Sequence, residues 1–262
     1  MGLKRLTIKL SIRAFIVGLG LLSMSGWVNA ERIIIAADIW CPFNCQPNSE
    51  QPGFMVEIAQ RVFTEHGHEV QYVEMGWERA IHEARQGNIN AVIGAYKGDA
   101  PDFVFPDQEM ALVGNTFFAR KETAWRYEDT DSLKKVNLGI IKGYDYGEEL
   151  KAHIDQNSGG RVFALIGDNP LQRGIKMLTA GRLDTVIEGA QVFWHTATQL
   201  GLQDHFVVAG QAGELNRSYI AFSPKIESSN NYAELLSEGI SRLRVSGELG
   251  RILHKYGLSD WR

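Results

Sequence analysis

The sequence has few cysteines and prolines, and it has no excess of basic residues. Two Cys, seven Pro and 27 Gly among 262 residues exclude a collagen-like or low-complexity chain. Lys and Arg number 27 against 31 Asp and Glu, whereas a protein that binds nucleic acid usually has a basic excess. The composition therefore predicts an ordinary globular protein without a nucleic-acid partner, long enough for one large domain or two modest ones.

Beyond residue 30 no apolar run is long enough to span a membrane, but residues 1–30 have an unusual pattern. Residues 1–13 contain four basic and no acidic side chains, residues 14–24 are mostly apolar, and small residues precede Ala30. These are the three parts of a secretory signal peptide, and the apolar part is short for a membrane anchor. We therefore expect cleavage after Ala30 and a periplasmic mature chain with 23 basic and 31 acidic residues, a net charge of −8.

The only two cysteines are close together in the stretch Cys-Pro-Phe-Asn-Cys. In an oxidising compartment Cys41 and Cys45 are expected to form a disulfide, and two reduced thiols are the alternative. So small a ring stabilises the fold by only about 2 kcal/mol, so the bond would mainly shape its loop. A metal site would need further ligands, and no His lies close in sequence.

Catalytic motifs are missing as well. The chain contains no Gly-x-Ser-x-Gly, no His-Glu-x-x-His, no phosphate-binding loop and no Gly-x-Gly-x-x-Gly. We therefore expect a protein that is not an enzyme and needs no cofactor or metal.

Short β-branched runs alternate with amphipathic segments along the mature chain. Strand, helix, strand, helix and strand follow one another over residues 32–95, and a similar order returns over residues 137–200. This order is typical of α/β sheets with parallel strands. Near the end of the chain, Tyr232–Tyr256 has one apolar face and predicts a single long helix.

The repeated order predicts two α/β lobes. Lobe 1 would contain residues 31–118 and 220–262, and lobe 2 residues 119–219. The chain would cross between them at Asn115–Trp125 and return at Arg217–Phe222, and two such crossings form a hinge.

The ends of the predicted strands indicate where a ligand would bind, because ligands of open α/β sheets lie beyond the carboxyl ends of strands. The residues at these ends are mostly aromatic or charged. They are Asp38, Trp40, Phe43, Trp77, Arg79, Tyr96, Lys97, Tyr144, Asp145, Tyr146, Glu188 and Gln191. Flat apolar walls with a few charged groups suit a small polar or zwitterionic molecule.

Several of these residues have a structural alternative. Trp40 or Trp77 could be a packing residue, although two tryptophans at two strand ends favour ligand contact. Arg79 could pair with a glutamate on its own helix, and Lys97 could belong to a solvated turn. Asp145 is expected to cap the following helix, with any ligand contact secondary.

Several short motifs, in order along nearly all of residues 31–262, carry a resemblance to a known family. They are Asp38–Phe43, Gly53–Ala59, Gly87–Ile93, Leu138–Gly143 and Gly181–Ile187. The mature chain resembles family 3 of the bacterial extracellular solute-binding proteins, the periplasmic partners of amino-acid uptake transporters. The resemblance implies a periplasmic-binding-protein-like α/β fold of type II, with two α/β lobes, a two-strand hinge and a ligand trapped between the lobes. It also implies an ABC permease or a membrane receptor as the partner, and we expect a monomer.

Two departures from the family pattern bear on the ligand. Amino-acid binders of the family usually have Thr-x-x-Arg after the third strand, and that Arg holds the ligand carboxylate. Here the stretch is Tyr96–Pro101, so Lys97 or Arg79 would have to meet an anion, although Lys lacks the bidentate geometry of Arg. The resemblance also places Glu188 where the family has an Asp that receives the ligand amine.

The sequence thus predicts a periplasmic solute-binding protein for an ABC transporter, with an amino-acid-like ligand between two lobes. Aromatic rings would sandwich the solute. One alternative is a dehydratase-like enzyme on the same fold, in which Glu188 is the acid or base. The other is a ligand sensor that signals to a membrane receptor.

Overall fold

The computed structural model describes residues 1–2, 31–167 and 169–262. The predicted signal peptide lies almost entirely outside the described residues. In the described part of the chain, no helix combines the length and the apolar character needed to cross a membrane.

The first part of the chain forms three parallel strands with helical connections. Strand β1 (Arg32–Ala37) pairs with β2 (Glu69–Glu74) on one side and β3 (Ala91–Ala95) on the other. Helix α1 (Phe54–Glu65) connects β1 to β2, and α2 (Trp77–Gln86) connects β2 to β3. These five elements match the sequence prediction within one or two residues. In each segment the apolar residues recur at the spacing typical of a helix or of a strand.

The middle of the chain forms a second set of strands. Three of them, β5, β6 and β7, are parallel, and β4 runs antiparallel to β7. The elements in chain order are β4 (Ala111–Arg120), β5 (Leu138–Ile141), α3 (Glu148–Asn157), β6 (Val162–Leu165), α4 (Pro170–Thr179), β7 (Thr185–Glu188) and α5 (Ala190–Gln199).

Strand β8 (Phe206–Phe222) joins the two sets of strands. It pairs antiparallel with β3 near Phe222 and with β4 from Phe206 to Ser218, so the sheet order is β2-β1-β3-β8-β4-β7-β5-β6. A strand of 17 residues spans about 55 Å, enough to serve both sets. The predicted crossings lie at these two long strands, but the sequence showed neither β4 nor the first twelve residues of β8 as strand. The division into two moving lobes stays a prediction.

The chain ends in two helices that pack on α1 and on each other. Helix α6 (Ser229–Val245) and α7 (Glu248–Lys255) both contact α1. The single helix predicted over 232–256 was wrong, because Gly247 has a φ of 73° and separates the two helices. That left-handed conformation favours glycine.

Candidate functional site

The loop after β1, residues 38–45, is held by several local contacts, and we call it the disulfide loop. Cys41 and Cys45 are joined, which confirms the predicted disulfide. The side-chain amide of the buried Asn44 donates to the Asp38 carbonyl at 2.7 Å and to the Tyr72 hydroxyl at 2.9 Å. The backbone N–H of Trp40 donates to the carbonyl of Asn44 at 2.9 Å. Sequence reasoning missed the role of Asn44, which lies inside the ring closed by the disulfide.

The indole of Trp40 lies at the centre of the site. It is only 6% exposed, stacks on Phe43 with ring centroids 4.2 Å apart, and meets Tyr96 edge to face. Its Nε1 donates to Glu188 Oε1 at 2.9 Å. Phe43 is buried behind the indole and lines neither central cavity, so its position is that of a packing residue.

Glu188 is the last residue of β7 and is 4% exposed. Its Oε1 accepts a second hydrogen bond, from the backbone N–H of Gly189 at 2.7 Å. Its Oε2 is buried and has no hydrogen-bond partner in the part of the chain that the structure describes. The Trp40–Glu188 contact therefore joins the end of a first-set strand to the end of a second-set strand, and it leaves one carboxylate oxygen free for another donor.

The loop after β5, residues 142–147, faces the disulfide loop, and we call it the tyrosine loop. The Tyr144 hydroxyl donates to Asp38 Oδ2 at 2.9 Å, and its ring meets Trp77 edge to face. The hydroxyl of Tyr146 accepts from the backbone N–H of Ile141 at 2.8 Å. Tyr144 thus faces the first set of strands, whereas Tyr146 is buried and braces its own loop.

Asp99 belongs to the site, although sequence reasoning did not select it. Its Oδ2 accepts from the Tyr96 backbone N–H at 2.6 Å, and its Oδ1 accepts from the Asp145 backbone N–H at 3.1 Å. The Asp145 side chain lies so close to Gly98 that a Cβ there would collide with Oδ2. The structure also corrects the capping prediction: α3 begins at Glu148, and Asp145 Oδ1 accepts from the Gly147 backbone N–H at 2.8 Å.

Two small cavities lie where the two sets of strands meet. The first has a volume of about 20 Å³, and its lining residues are Ala37, Asp38, Trp40, Trp77, Ile93, Gly94, Tyr96, Asp99, Tyr144 and Asp145. The second, of about 30 Å³, shares Asp38, Trp40 and Tyr144 with the first and reaches Glu188. Each volume has room for about one water molecule, so a larger solute requires the walls to move apart.

The cavities are acidic. Asp38, Asp99 and Asp145 line the first cavity and Glu188 the second, and among the described residues no Lys, Arg or His lines either one. Burial raises the pKa of Asp38 to about 6 and the pKa values of Asp99 and Glu188 to about 7. Burial removes water from each carboxylate, and the hydrogen bonds that each one accepts offset only part of that loss.

The tyrosines of the site are neutral hydrogen-bonding groups. Burial raises the pKa of Tyr96 and of Tyr144 well above the usual range, and the nearby carboxylates raise both further. Both hydroxyls therefore keep their protons at neutral pH and can donate.

The two predicted cations do not reach these cavities. The Arg79 side chain is 73% exposed, lies 3.9 Å from Glu83 and lines an outer cavity of about 280 Å³ that also includes Lys142. Lys97 is exposed, with its Nζ 5.8 Å from the centroid of the Tyr219 ring.

Gln191 lies elsewhere too. It is exposed in the first turn of α5 and lines neither cavity. The structure therefore gathers a subset of the predicted residues: Asp38, Trp40, Trp77, Tyr96, Tyr144, Asp145 and Glu188.

This arrangement of two sheet halves around acidic, aromatic-walled cavities can be compared with known proteins. The family model of bacterial extracellular solute-binding proteins, family 3, matches residues 33–259. The chain belongs to this family. No curated protein matches the chain.

Solved structures with the same fold include both sensors and binding proteins. A histidine kinase sensor domain with similarity to periplasmic binding proteins has a TM-score of 0.72 at 17% identity, covering 87% of this chain and 98% of that chain. An amino acid ABC transporter substrate-binding protein from Streptococcus pneumoniae, bound to L-arginine, has a TM-score of 0.67 at 18% identity, covering 86% and 94%. An ancestral arginine-binding protein bound to arginine has a TM-score of 0.68 at 18% identity, covering 86% and 97%.

At such identities the likeness concerns the fold. It confirms the predicted periplasmic-binding-protein-like α/β fold for this member of the solute-binding family.

Proposed function

We propose that this protein is a periplasmic solute-binding protein that captures a small polar solute between two lobes and presents it to an ABC permease. The observation that supports this most directly is the make-up of the two central cavities. Their walls come from both sets of strands, and both include Asp38, Trp40 and Tyr144. A solute in this place touches residues on either side of the hinge strands β4 and β8.

The contacts between the two sets are of a kind that a solute can replace. Trp40 donates to Glu188, Tyr144 donates to Asp38, and the Asp145 backbone donates to Asp99. Each is a single hydrogen bond beside a cavity, so a polar solute can accept or donate in its stead when the lobes separate. Hinge closure around a ligand is a known motion of periplasmic binding proteins.

Capture followed by release describes this site better than catalysis. The family is one of solute-binding proteins, and the similar solved structures include arginine-bound ones. The signal peptide expected at residues 1–30 supports a periplasmic location, and a monomer is sufficient because both walls of the site belong to one chain. The lobes would be residues 31–118 with 220–262, and residues 119–219.

A sensor is the second candidate. The likeness to a histidine kinase sensor domain favours it, because that domain has the same fold. In that case the partner would be a membrane receptor in place of a permease, and the site would work in the same way.

Native mass spectrometry of the protein purified from the periplasm of its own source tests the proposal. A retained small molecule, released by denaturation and unchanged on incubation, is expected. Wild type and Trp40→Ala purified in parallel form the matched comparison, and the variant should retain less. Chemical conversion of the bound molecule would instead support an enzyme, with Glu188 as the acid or base.

A further inference from the structure

The charge of the central cavities is one-sided, and this limits the solutes that fit. Four carboxyl groups line the two cavities, and among the described residues no basic side chain does. We propose that the solute is an organic cation with no carboxylate beside its charge, such as an amine or a guanidine. This inference rests on the proposed function, because it names the class of solute that the same site captures.

The unpartnered oxygen of Glu188 is the first support. The side chain is 4% exposed and Oε1 accepts two hydrogen bonds, whereas the buried Oε2 accepts none from the described residues. A buried carboxylate oxygen without a donor is unfavourable. An ammonium or guanidinium N–H supplies both the missing donor and the opposite charge.

The second support comes from the remaining carboxyl groups. Asp38 lines both cavities and accepts only the Tyr144 hydroxyl through its side chain, and Asp99 and Asp145 line the first cavity. Asp38 and Glu188 repel each other, as do Asp99 and Asp145. A cation between such pairs relieves the repulsion, whereas an anion adds to it.

The aromatic walls favour the same class of solute. Trp40, Trp77, Tyr96 and Tyr144 all line the first cavity. Ring faces attract cations through their quadrupole, and the attraction is stronger where water is excluded. The walls therefore favour a positive charge even where no carboxylate touches it.

An α-amino acid fits these cavities less well, because its ammonium and carboxylate share one carbon atom. If the ammonium reaches Asp38 or Glu188, the carboxylate falls among the same acidic groups. The basic groups Arg79 and Lys142 line the outer cavity, and Lys142 is paired with Glu78 at 3.2 Å. The outer cavity shares Asp38 and Trp77 with the first cavity, so an anionic group at the far end of a longer cation fits there. Glu188, Asp99 and Asp145 line only the two central cavities, where a carboxylate beside the charge meets further acidic groups.

Two matched pairs of solutes test the inference. L-arginine and agmatine differ only by the carboxylate, as do L-lysine and cadaverine. Isothermal titration calorimetry at pH 7.5, on protein unfolded and refolded to remove retained solute, should show agmatine or cadaverine binding at least tenfold more tightly than its amino acid. Since all four probes are cationic, the comparison isolates the carboxylate.

The outcomes separate this inference from the proposed function. An amino acid that binds as tightly as its decarboxylated partner overturns the inference and leaves a solute-binding protein. If no probe binds, the solute identified by native mass spectrometry decides. A cation without a neighbouring carboxylate supports the inference, and any other solute overturns it. The absence of both probe binding and a retained solute overturns the proposed function as well.

Charge-removing variants give a second, independent test on the same probe. Glu188→Gln should weaken binding of the better amine at least tenfold, and Asp38→Asn is the second variant should Glu188→Gln fail to fold. The matched control is Glu214→Gln, an exposed carboxyl of β8 that lines neither cavity. Unchanged affinity in a folded Glu188→Gln or Asp38→Asn protein would overturn the assignment of these carboxylates to a cation.

Discussion

The two loops that face each other across the site are held in different ways. The disulfide loop is held by its own contacts: the Cys41–Cys45 bond, the Asn44 hydrogen bonds and the stacking of Phe43 on Trp40. Its site residues are therefore in place whether or not the other lobe is near. Preorganised groups of this kind lose little freedom on binding.

The tyrosine loop depends more on the opposite wall. Tyr144 bonds to Asp38, the Asp145 backbone bonds to Asp99, and Lys142 pairs with Glu78, all of which lie in or beside the first set of strands. Its own bracing comes mainly from the Tyr146 hydroxyl. The comparison indicates that the disulfide loop is ordered by contacts within the first set of strands, whereas the tyrosine loop is ordered mainly by contacts with the opposite wall.

Trp40→Ala should have the largest effect, because it removes the central ring of the disulfide loop. The indole is almost fully buried, so we expect the free energy of unfolding to fall by about 3–5 kcal/mol and solute binding to be lost. Thermal unfolding and calorimetry measure both. Trp40→Phe is the control: it keeps a ring but not the Nε1 donor, so stability should fall less. Equal stability of the Trp40→Ala variant and wild type would show that packing of the Trp40 indole does not stabilise the disulfide loop.

The next largest effect is expected in the pH dependence of the free energy of unfolding. It depends on the ionisation of the buried carboxyl groups between the two walls. The pKa of Glu188 is raised from 4.5 to about 7, so the folded protein holds this proton more tightly than the unfolded chain. Its contribution to the free energy of unfolding is therefore present below pH 4.5 and is lost as pH rises through 7, by at most about 3 kcal/mol. Asp38 and Asp99 act in the same direction.

The groups that face Glu188 do not supply a positive charge. They are Asp38 and the neutral hydroxyls of Tyr96, Tyr144 and Tyr146.

Scanning fluorimetry between pH 5 and 8, without added solute, measures this effect as the difference between wild type and Glu188→Gln. Wild type should lose more thermal stability over the range, because the amide does not titrate. His153 and His195, whose pKa values are lowered by burial, act in the opposite direction but are common to both proteins. If thermal stability depends on pH in the same way in both proteins, the raised pKa of the buried Glu188 is contradicted.

The double variant Cys41→Ser with Cys45→Ser tests how far the disulfide loop depends on its bond. The ring is small, so we expect a loss of about 2 kcal/mol in the free energy of unfolding. Affinity should fall less than in Trp40→Ala, since the Asn44 hydrogen bonds and the Phe43 stacking remain. Wild type treated with a reductant is the control. Complete loss of binding would mean that the bond alone orders this wall.

Tyr144→Phe makes the corresponding change in the tyrosine loop. It removes only the hydroxyl that donates to Asp38, so stability should change by about 1 kcal/mol. Binding should weaken more than this, because the contact belongs to the closed arrangement of the walls. The comparison in calorimetry is with Tyr127→Phe, whose ring stacks on Phe117 and lines neither central cavity. A large loss of stability with unchanged binding would contradict this expectation. The Tyr144 hydroxyl would then serve to hold the fold together and not to complete the binding site.

The smallest effects are expected for the two cations that the sequence placed in the site. Arg79→Ala and Lys97→Ala should change the affinity for solute by less than about twofold, since neither side chain lines the central cavities. The exposed Arg79–Glu83 contact contributes only about 0.3–0.5 kcal/mol. Loss of binding in either variant would show that the site extends into the outer cavity and holds an anion there.

Sequence patterns were sufficient wherever the determining contacts are local. The elements β1, α1, α2 and β3 each follow from the spacing of apolar residues in one segment. The rule that ligands lie at strand ends selects Asp38, Trp40, Trp77, Tyr144 and Glu188, all of which line the central cavities. The disulfide followed from two cysteines in one loop. In each case the residues that decide the structure are neighbours in the chain.

Only the tertiary structure decided which of these residues meet. Trp40 and Glu188 are 148 positions apart, and their hydrogen bond depends on how β8 aligns β3 with β4. Sequence reasoning selected Lys97 for the site and did not select Asp99, yet the Lys97 side chain lies against Tyr219 and Asp99 lines the cavity. Apolar periodicity is set within a segment, whereas the direction and burial of a charged side chain are set by the elements that pack around it.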